Sequence, residues 1–356
     1  MIEDINSKFI NELQLLLLDW YRSMARDLPW RNTKNAYLIW ISEIILQQTR
    51  VDQGLEYYLR FIQRFPDVRS LAEADEQEVL KYWQGLGYYT RARNLHAAAK
   101  QIMTLYKGEF PTDYNSVLSL KGVGEYTAAA IMSFAYDAPY AVLDGNVYRF
   151  LARLFAISLP IDMTEGKRYF SELAQLLLNR TDPSLHNQAM MEMGALQCVP
   201  SHPDCVVCPF KTHCLAFLEN KVDCYPRKAR KTKVSERYFH YLFISCGDSL
   251  YLHQRVGKDV WRNLYEFPLC ETTGGKLNAD EVARLLNAPI DGELIPTLQV
   301  KHVLSHCIIH ASFYELCVSE QTEIPDCVTI DKRDLYKYPV SRLIHLFLEK
   351  RHPDLL

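Results

Sequence analysis

Up to about residue 224, apolar residues recur at three- and four-residue spacing, and glycine or proline falls only at breaks, which predicts helices almost throughout. A first helix is expected over about residues 4 to 25. It ends before Leu28-Pro29-Trp30-Arg31, where proline and a large aromatic mark a loop. The next, AYLIWISEIILQQTRV, buries Ile41, Ile44 and Ile45 on one face. Beyond residue 237 the pattern becomes strand-like. YFHYLFISC, a Gly247-Asp248 turn and SLYLHQR predict a hairpin, and LYEFPL, the stretch around KHVLSHCIIH, and ASFYELCV predict further strands. Helices are expected at Asn278 to Asn287, capped by Asn278 with Glu281 three residues on, and near Ser341 to Lys350.

Between the two patterns lies YPRKARKTKVSER, residues 225 to 237, basic and nearly free of apolar residues, which reads as a linker. The expected organisation is a helical domain over residues 1–224, this linker, and an α+β domain over residues 238–356. A chain of 356 residues is long enough for two separate cores. A hydrophobic content of 48% with 23% charged residues is that of a folded globular protein and excludes a disordered one.

Charge changes the picture only locally. The net charge of -3 argues against a uniformly basic nucleic-acid protein. From Lys81 to Lys107, however, the chain carries Lys81, Arg91, Arg93, Lys100 and Lys107 and no Asp or Glu. Such a face can attract phosphates within about 10 Å, the Debye length at moderate salt, with a merely solvated helix face as the other reading. The apolar run Leu15 to Leu18 is too short to cross a membrane, and the opening lacks a basic n-region and a cleavage site. No membrane association and a cytoplasmic or nucleoid location are expected. Four of the ten cysteines are clustered with ligand-like spacing, which suits a reducing compartment.

The candidate chemistry is concentrated in a few stretches. Gly122 and Gly124 in LKGVGEYTA can form a hairpin between helices, whose backbone N–H groups would hold a phosphate at a helix N-terminus. Asp144 precedes a helical pattern at Val147, Leu151, Leu154 and Phe155 and sits at its N-cap, with capping alone as one reading. Glu43 falls among apolar residues, where lost solvation favours the protonated form and suits a general acid; the alternative is that it turns outward. Leu46, Gln47, Gln48 and Thr49 offer an apolar wedge and neutral hydrogen-bonding groups able to enter a base stack. QGLGYYTRARNLH sets Tyr88, Tyr89, Arg91 and Arg93 on a glycine turn, as either a stacking platform or packing. Cys198-x6-Cys205-x2-Cys208-x5-Cys214, stiffened by Pro200, Pro203 and Pro209, can close on one metal centre, iron-sulfur or zinc.

The hairpin followed by VLDGNVYR resembles the helix-hairpin-helix DNA glycosylases, and the 6-2-5 cysteine spacing is similar to their 4Fe-4S loop. With LPWR, SEIILQQTRV, GLGYYTRARNLH and NQAMMEMGALQC, nearly the whole chain resembles the adenine DNA glycosylase family. The resemblance implies a mainly α N-terminal catalytic region, with a six-helix barrel and an iron-sulfur cluster region, and an α+β Nudix, or MutT-like, C-terminal domain. It implies a 4Fe-4S cluster on Cys198, Cys205, Cys208 and Cys214. The implied substrate is double-stranded DNA with adenine opposite 8-oxoguanine or guanine, bound by a monomer. By resemblance, Glu43 protonates the extruded adenine and Asp144 stabilises the sugar cation, directly or through a short-lived covalent adduct, while Tyr126 and Asn146 orient the two carboxylates. Arg26, Trp30, Arg31 and Gln188 frame the base, Leu46, Gln48 and Tyr88 wedge the gap, and Ser305 reads the oxidised guanine.

Several departures qualify this. Leu304 stands where the family loop usually has phenylalanine, Lys121 where the hairpin usually has proline, and GKDVW lacks a usual proline-glycine turn. The Nudix signature helix is absent, which implies a recognition module rather than a second enzyme. The three histidines His302, His306 and His310, an even number apart, are expected on one face of a strand. The rival family is endonuclease III, whose hairpin is followed by a nucleophilic lysine. Tyr126 occupies that position here, so base removal without efficient strand cleavage is expected. A non-catalytic iron-sulfur damage sensor and a zinc-stabilised DNA-binding protein are the remaining alternatives.

Overall fold

A computed structural model of the protein describes residues 5–229, 234–286, 294–304, 306–321 and 323–356. The chain forms two compact units: Met1–Gly54 with Phe65–Arg69 and Ala98–Lys231, and Leu55–Arg64 with Ser70–Ala97 and Thr232–Leu356. The second unit therefore combines helical segments with the C-terminal sheet.

In order, the helices of the N-terminal part are α1 (Ser7–Met24), α2 (Ala36–Leu46), α3 (Val51–Arg64), α4 (Val68–Glu73), α5 (Glu76–Tyr82), α6 (Thr90–Tyr106), α7 (Tyr114–Leu118), α8 (Glu125–Tyr136), α9 (Gly145–Leu154), α10 (Thr164–Leu177), α11 (Pro183–Glu192) and α12 (Leu215–Leu218). Side-chain caps start several of them: Asn6 accepts the Phe9 N–H ahead of α1, and Asn35 accepts the Tyr37 and Leu38 N–H groups ahead of α2. In the first unit, α1 buries Leu13, Leu17 and Tyr21 against Val147, Leu151 and Leu154 of α9 and Met190 of α11. Helix α2 is buried on nearly every side, so its apolar residues follow one another instead of forming a stripe. Two features were not expected. A π-helical turn, Met193–Gln197, continues α11, and Gly194 there passes so close to α9 that a Cβ would lie 2.5 Å from the Asn146 carbonyl oxygen.

In the second unit, strands β1 (Ser235–Cys246), β2 (Ser249–Gln254), β3 (Tyr265–Glu266), β4 (Leu269–Thr272), β5 (Leu298–Val303), β6 (Cys307–Cys317) and β7 (Cys327–Asp331) form one mixed sheet, ordered β3-β2-β1-β6-β5, with β4 on β1 and β7 on β2. The β1–β2 hairpin turns at Gly247-Asp248 as expected. Helices α13 (Ala279–Leu286) and α14 (Arg342–Arg351) accompany the sheet. Val282 and Leu286 of α13 pack with Leu242 and Ile244, and Leu343 and Phe347 of α14 pack with Tyr241 and Phe243. Both faces of β1 are covered, which is why YLFI is a continuous apolar run. Within this unit the helical segment is bonded to the sheet domain: Tyr89 Oη donates to the Val340 carbonyl at 3.3 Å, and Arg93 to the Arg262 carbonyl at 2.6 Å.

Three expectations need adjustment. Residues 225 to 229 are pinned to the first unit, since Tyr225 is buried, Arg227 accepts from the Ile161 N–H and the Ala229 N–H donates to Asp162. Residues 235 to 237 already belong to β1, and 230–233 and Asn287 lie outside the described residues. CIIHASFYELC is one strand, not two. The three histidines do not share a face: His302 lies on β5, His306 between the strands and His310 on β6. Opposite His310 stands Lys301, so His302 and His310 face opposite ways. The chain reverses between them, and counting in twos fails across a reversal.

Candidate active site

In the first unit, the end of α2, the single turn at Pro29–Arg31, the first turns of α8 and α9 and the end of α11 surround one open cleft of about 730 Å³. Glu43 enters it from α2 and is only 6% exposed. Burial pushes its carboxyl up to about 7, and nearby Asp144 adds to the rise. The hydrogen bond from Tyr126 and the charge of Arg31 act in the other direction. Tyr126, on the first turn of α8, donates its hydroxyl to Glu43 Oε2 at 2.7 Å.

Asp144 reaches the same cleft from the N-cap of α9. One oxygen accepts the Val147 N–H at 2.8 Å and the other accepts Asn146 Nδ2 at 2.8 Å. Capping and facing the cleft are thus compatible. Burial raises its pKa, while these bonds and Arg149 pull it back. Arg149 in turn donates to Asn146 Oδ1 at 2.9 Å and to the carbonyls of Gly194 and Cys198 at 2.5 and 2.7 Å.

The opposite wall is built on Glu192, 1% exposed. It accepts Arg26 at 2.8 and 2.6 Å and Arg31 at 3.0 and 2.7 Å. Burial opposes its charge, but the two guanidinium groups prevail and hold it at about 2. Gln188, four residues earlier on α11, accepts from Tyr21 Oη at 3.1 Å.

Cys198, Cys205, Cys208 and Cys214 line one small apolar cavity with Phe150, Phe210 and Phe217. The buried guanidinium of Arg153, on α9, lies 3.4 Å from Cys198 Sγ and bonds the carbonyls of Val199 and Pro200 at 2.7 and 2.9 Å. Among the described residues, no three His, Cys, Asp or Glu side chains are close enough to share a single ion.

Residues 41–176 match the HhH-GPD superfamily base excision DNA repair protein family, and residues 240–350 match the NUDIX domain. An adenine DNA glycosylase of Buchnera aphidicola (subsp. Baizongia pistaciae) is 36% identical over 260 residues, covering 71% of this chain and 72% of the relative. The chain belongs to the adenine DNA glycosylase family. A family member of Arabidopsis thaliana is 40% identical over 310 residues, 75% of this chain and 49% of its own. Among solved structures, that of a thermostable thymine-DNA glycosylase matches at a TM-score of 0.55 and 27% identity, covering 59% of this chain and 97% of that one.

For a member of this glycosylase family, the cleft unites most of the sequence-predicted residues: Glu43, Tyr126, Asp144, Asn146, Arg26, Trp30, Arg31, Leu46, Gln48 and Gln188 all line it. Gln48 adopts a left-handed backbone (φ 57°), unusual for a side chain with a Cβ, directly after α2. Gly122 (φ 77°) and Gly124 form the turn between α7 and α8, with Gly124 as the N-cap of α8; they do not line the cleft. Tyr88 belongs to the second unit, is 50% exposed and also left-handed (φ 47°), with the Arg91 guanidinium 5.6 Å from its ring centre. Ser305 lies outside the described residues. Glu192 and Arg149 were missed. Their signal was helical spacing, since Glu192 follows Gln188 by four residues and Arg149 follows Asn146 by three. No helix among the described residues is long and apolar enough to cross a membrane.

Proposed function

We propose that this protein removes adenine from duplex DNA, opposite 8-oxoguanine or guanine, by hydrolysing its N-glycosidic bond and without efficient strand cleavage. The observation that carries this reading is that Glu43 and Asp144, about a hundred residues apart in sequence, line one cleft in different electrostatic settings. The bond is shielded within the stack, so the nucleotide must be extruded first. Glu43, carrying its proton near neutral pH, delivers it to N7 of the adenine, and the base departs neutral. Asp144, held by the Val147 N–H and Asn146, faces the oxocarbenium-like sugar that remains, and a water completes hydrolysis at the anomeric carbon.

Arg26, Trp30, Arg31 and Gln188 frame the base in this reading. Leu46, Gln48 and Tyr88 fill the space it leaves, and the Gly122–Gly124 turn holds a phosphate of the same strand. Ser305 and its domain read the partner base. A strand-cleaving lyase needs an amine where this chain has Tyr126, which favours hydrolysis alone.

The four thiols around one apolar cavity, with the 6-2-5 spacing of the family's cluster loop, supply the donor set of a 4Fe-4S cluster. Cys198, Cys205, Cys208 and Cys214 would hold it, and when bound it would cross-link the loop that Arg149 and Arg153 tie to α9. A monomer acting on bacterial nucleoid DNA completes the proposal. The test is base release from duplexes carrying a panel of mispairs. Free adenine from A opposite 8-oxoguanine, with the strand intact, is expected. Release of oxidised pyrimidines with adenine left in place would replace this reading with an endonuclease III-like one.

A further inference from the structure

Asp144 is reached through a segment with no regular structure, residues 137 to 143, between α8 and α9. Such a backbone must find partners for its N–H and C=O groups outside a ladder. Four of these groups, one on each of four consecutive residues, find them on just two side chains, while the Tyr140 N–H turns back to the Ala138 carbonyl at 2.8 Å. Gln175 of α10 donates to the Pro139 carbonyl at 2.9 Å and accepts the Ala141 N–H at 3.0 Å. Asn187 of α11 donates to the Tyr140 carbonyl at 2.8 Å and accepts the Val142 N–H at 3.0 Å. Each amide thus spans a carbonyl and the N–H two residues on, as a neighbouring strand would, and alternation along an extended chain puts the two amides on opposite sides.

We infer that Asn187, assisted by Gln175, is a positioning residue that fixes the chain leading to Asp144 and so sets where its carboxylate stands; this rests on the glycosylase reading above. Asn187 is 2% exposed and does not line the cleft, whereas its neighbour Gln188 does. It cannot touch the substrate from there. Its second Nδ2 hydrogen goes to Ser133 Oγ at 2.8 Å, so both hydrogens and the oxygen are used. Only one orientation of the amide satisfies all three partners, which fixes its rotamer as well. Val142, buried to 1% exposure, is two residues before Asp144, leaving only Leu143 to transmit any shift. Asp144 is then held from both sides: ahead of it by these amides, and behind it by the first turn of α9.

The test uses the full-length protein and two abasic duplexes, one carrying a cationic pyrrolidine in place of the sugar and one a neutral tetrahydrofuran. The cationic ring needs the Asp144 carboxylate close by; the neutral ring does not. Asn187→Ala is expected to slow single-turnover adenine release about 100-fold, the scale of an ångström-sized misplacement. Affinity for the cationic duplex should fall by more than about tenfold, with affinity for the neutral one changed by less than about threefold. Gln175→Ala, at a half-buried position, should show the same split with a smaller loss, and carries the test if Asn187→Ala does not fold. Unchanged release, or equal loss of affinity for both duplexes, overturns the inference. A wild-type protein that releases no adenine overturns the glycosylase reading instead.

Discussion

Tyr126 donates its hydroxyl to Glu43 Oε2 across 2.7 Å, and this bond stabilises the ionised form of a carboxyl that burial otherwise drives toward the protonated one. Glu43 is therefore pushed up to about 7 while part of the rise is cancelled. If Glu43 acts as the acid, release should decline as pH rises through about 7. Tyr126→Phe removes the opposing bond, so the declining limb should move to higher pH, by about one unit for the loss of a charge-assisted hydrogen bond. Single-turnover rates between pH 5 and 9 measure it; a limb that stays put or moves down would remove Glu43 from the role of acid.

Asp144→Asn separates the two tasks of that side chain. The amide oxygen can still accept the Val147 N–H, and asparagine caps helices about as well as aspartate. The other oxygen becomes an amide that faces Asn146 Nδ2, donor against donor, so stability should fall by about 1–3 kcal/mol with the fold retained, while the charge that balances the sugar cation is lost. Adenine release should disappear with mispair affinity still measurable. Substantial residual release would mean that the sugar cation is stabilised elsewhere.

The cysteine loop gives a prediction with a spectroscopic readout. Purified protein should be brown, with iron and sulfide in equal amounts, and Cys205→Ala should lose both the colour and the melting temperature of the first unit. Zinc in place of iron would restore the tetrathiolate alternative.

Much of this site was legible because its residues carry local signals. Asp144 declares itself by preceding an apolar helical pattern, Glu43 by sitting among isoleucines, and the cysteines by spacing. What escaped is what depends on where the chain meets itself again. Glu192 reads as an ordinary helical glutamate until α11 brings it against Arg26 and Arg31, more than 160 residues earlier. The histidines of the last domain were misplaced because the reversal between β5 and β6 leaves no strong turn signal in VLSHC. Likewise, no pattern of apolar residues announces that helical segments near Trp83 join the C-terminal sheet, since those bonds end on backbone carbonyls such as those of Val340 and Arg262.

Glu192 supports a prediction about folding rather than chemistry. It neutralises two guanidinium groups at a wall of the cleft, and Arg31 is itself largely buried. Glu192→Gln leaves two cations facing each other, and losing one partner of a buried pair costs about 3 kcal/mol or more. Because its folded pKa is depressed to about 2, the wild-type contribution is present above about 4.5 and disappears as pH falls toward 2. The deficit of the variant in chemical denaturation should therefore be full at pH 7 and shrink in acid. A constant deficit would assign its cause to packing instead of charge.

Glu43 has the opposite sign. Its folded pKa lies above the ordinary value, so the folded state binds the extra proton more tightly, and the associated stability is complete below about 4.5 and lost as pH rises through about 7. A shift from 4.5 to about 7 corresponds to roughly 3 kcal/mol at pH 8, an upper bound for a carboxyl that borders an open cleft. Glu43→Gln keeps an acceptor for Tyr126 and has no charge to bury. It should therefore match the wild type near pH 5, exceed it in stability at pH 8 and release no adenine at either. The gain would measure how much folding free energy the acid withholds at alkaline pH, and equal stability of the two proteins at pH 8 would show that Glu43 is better solvated than its burial implies.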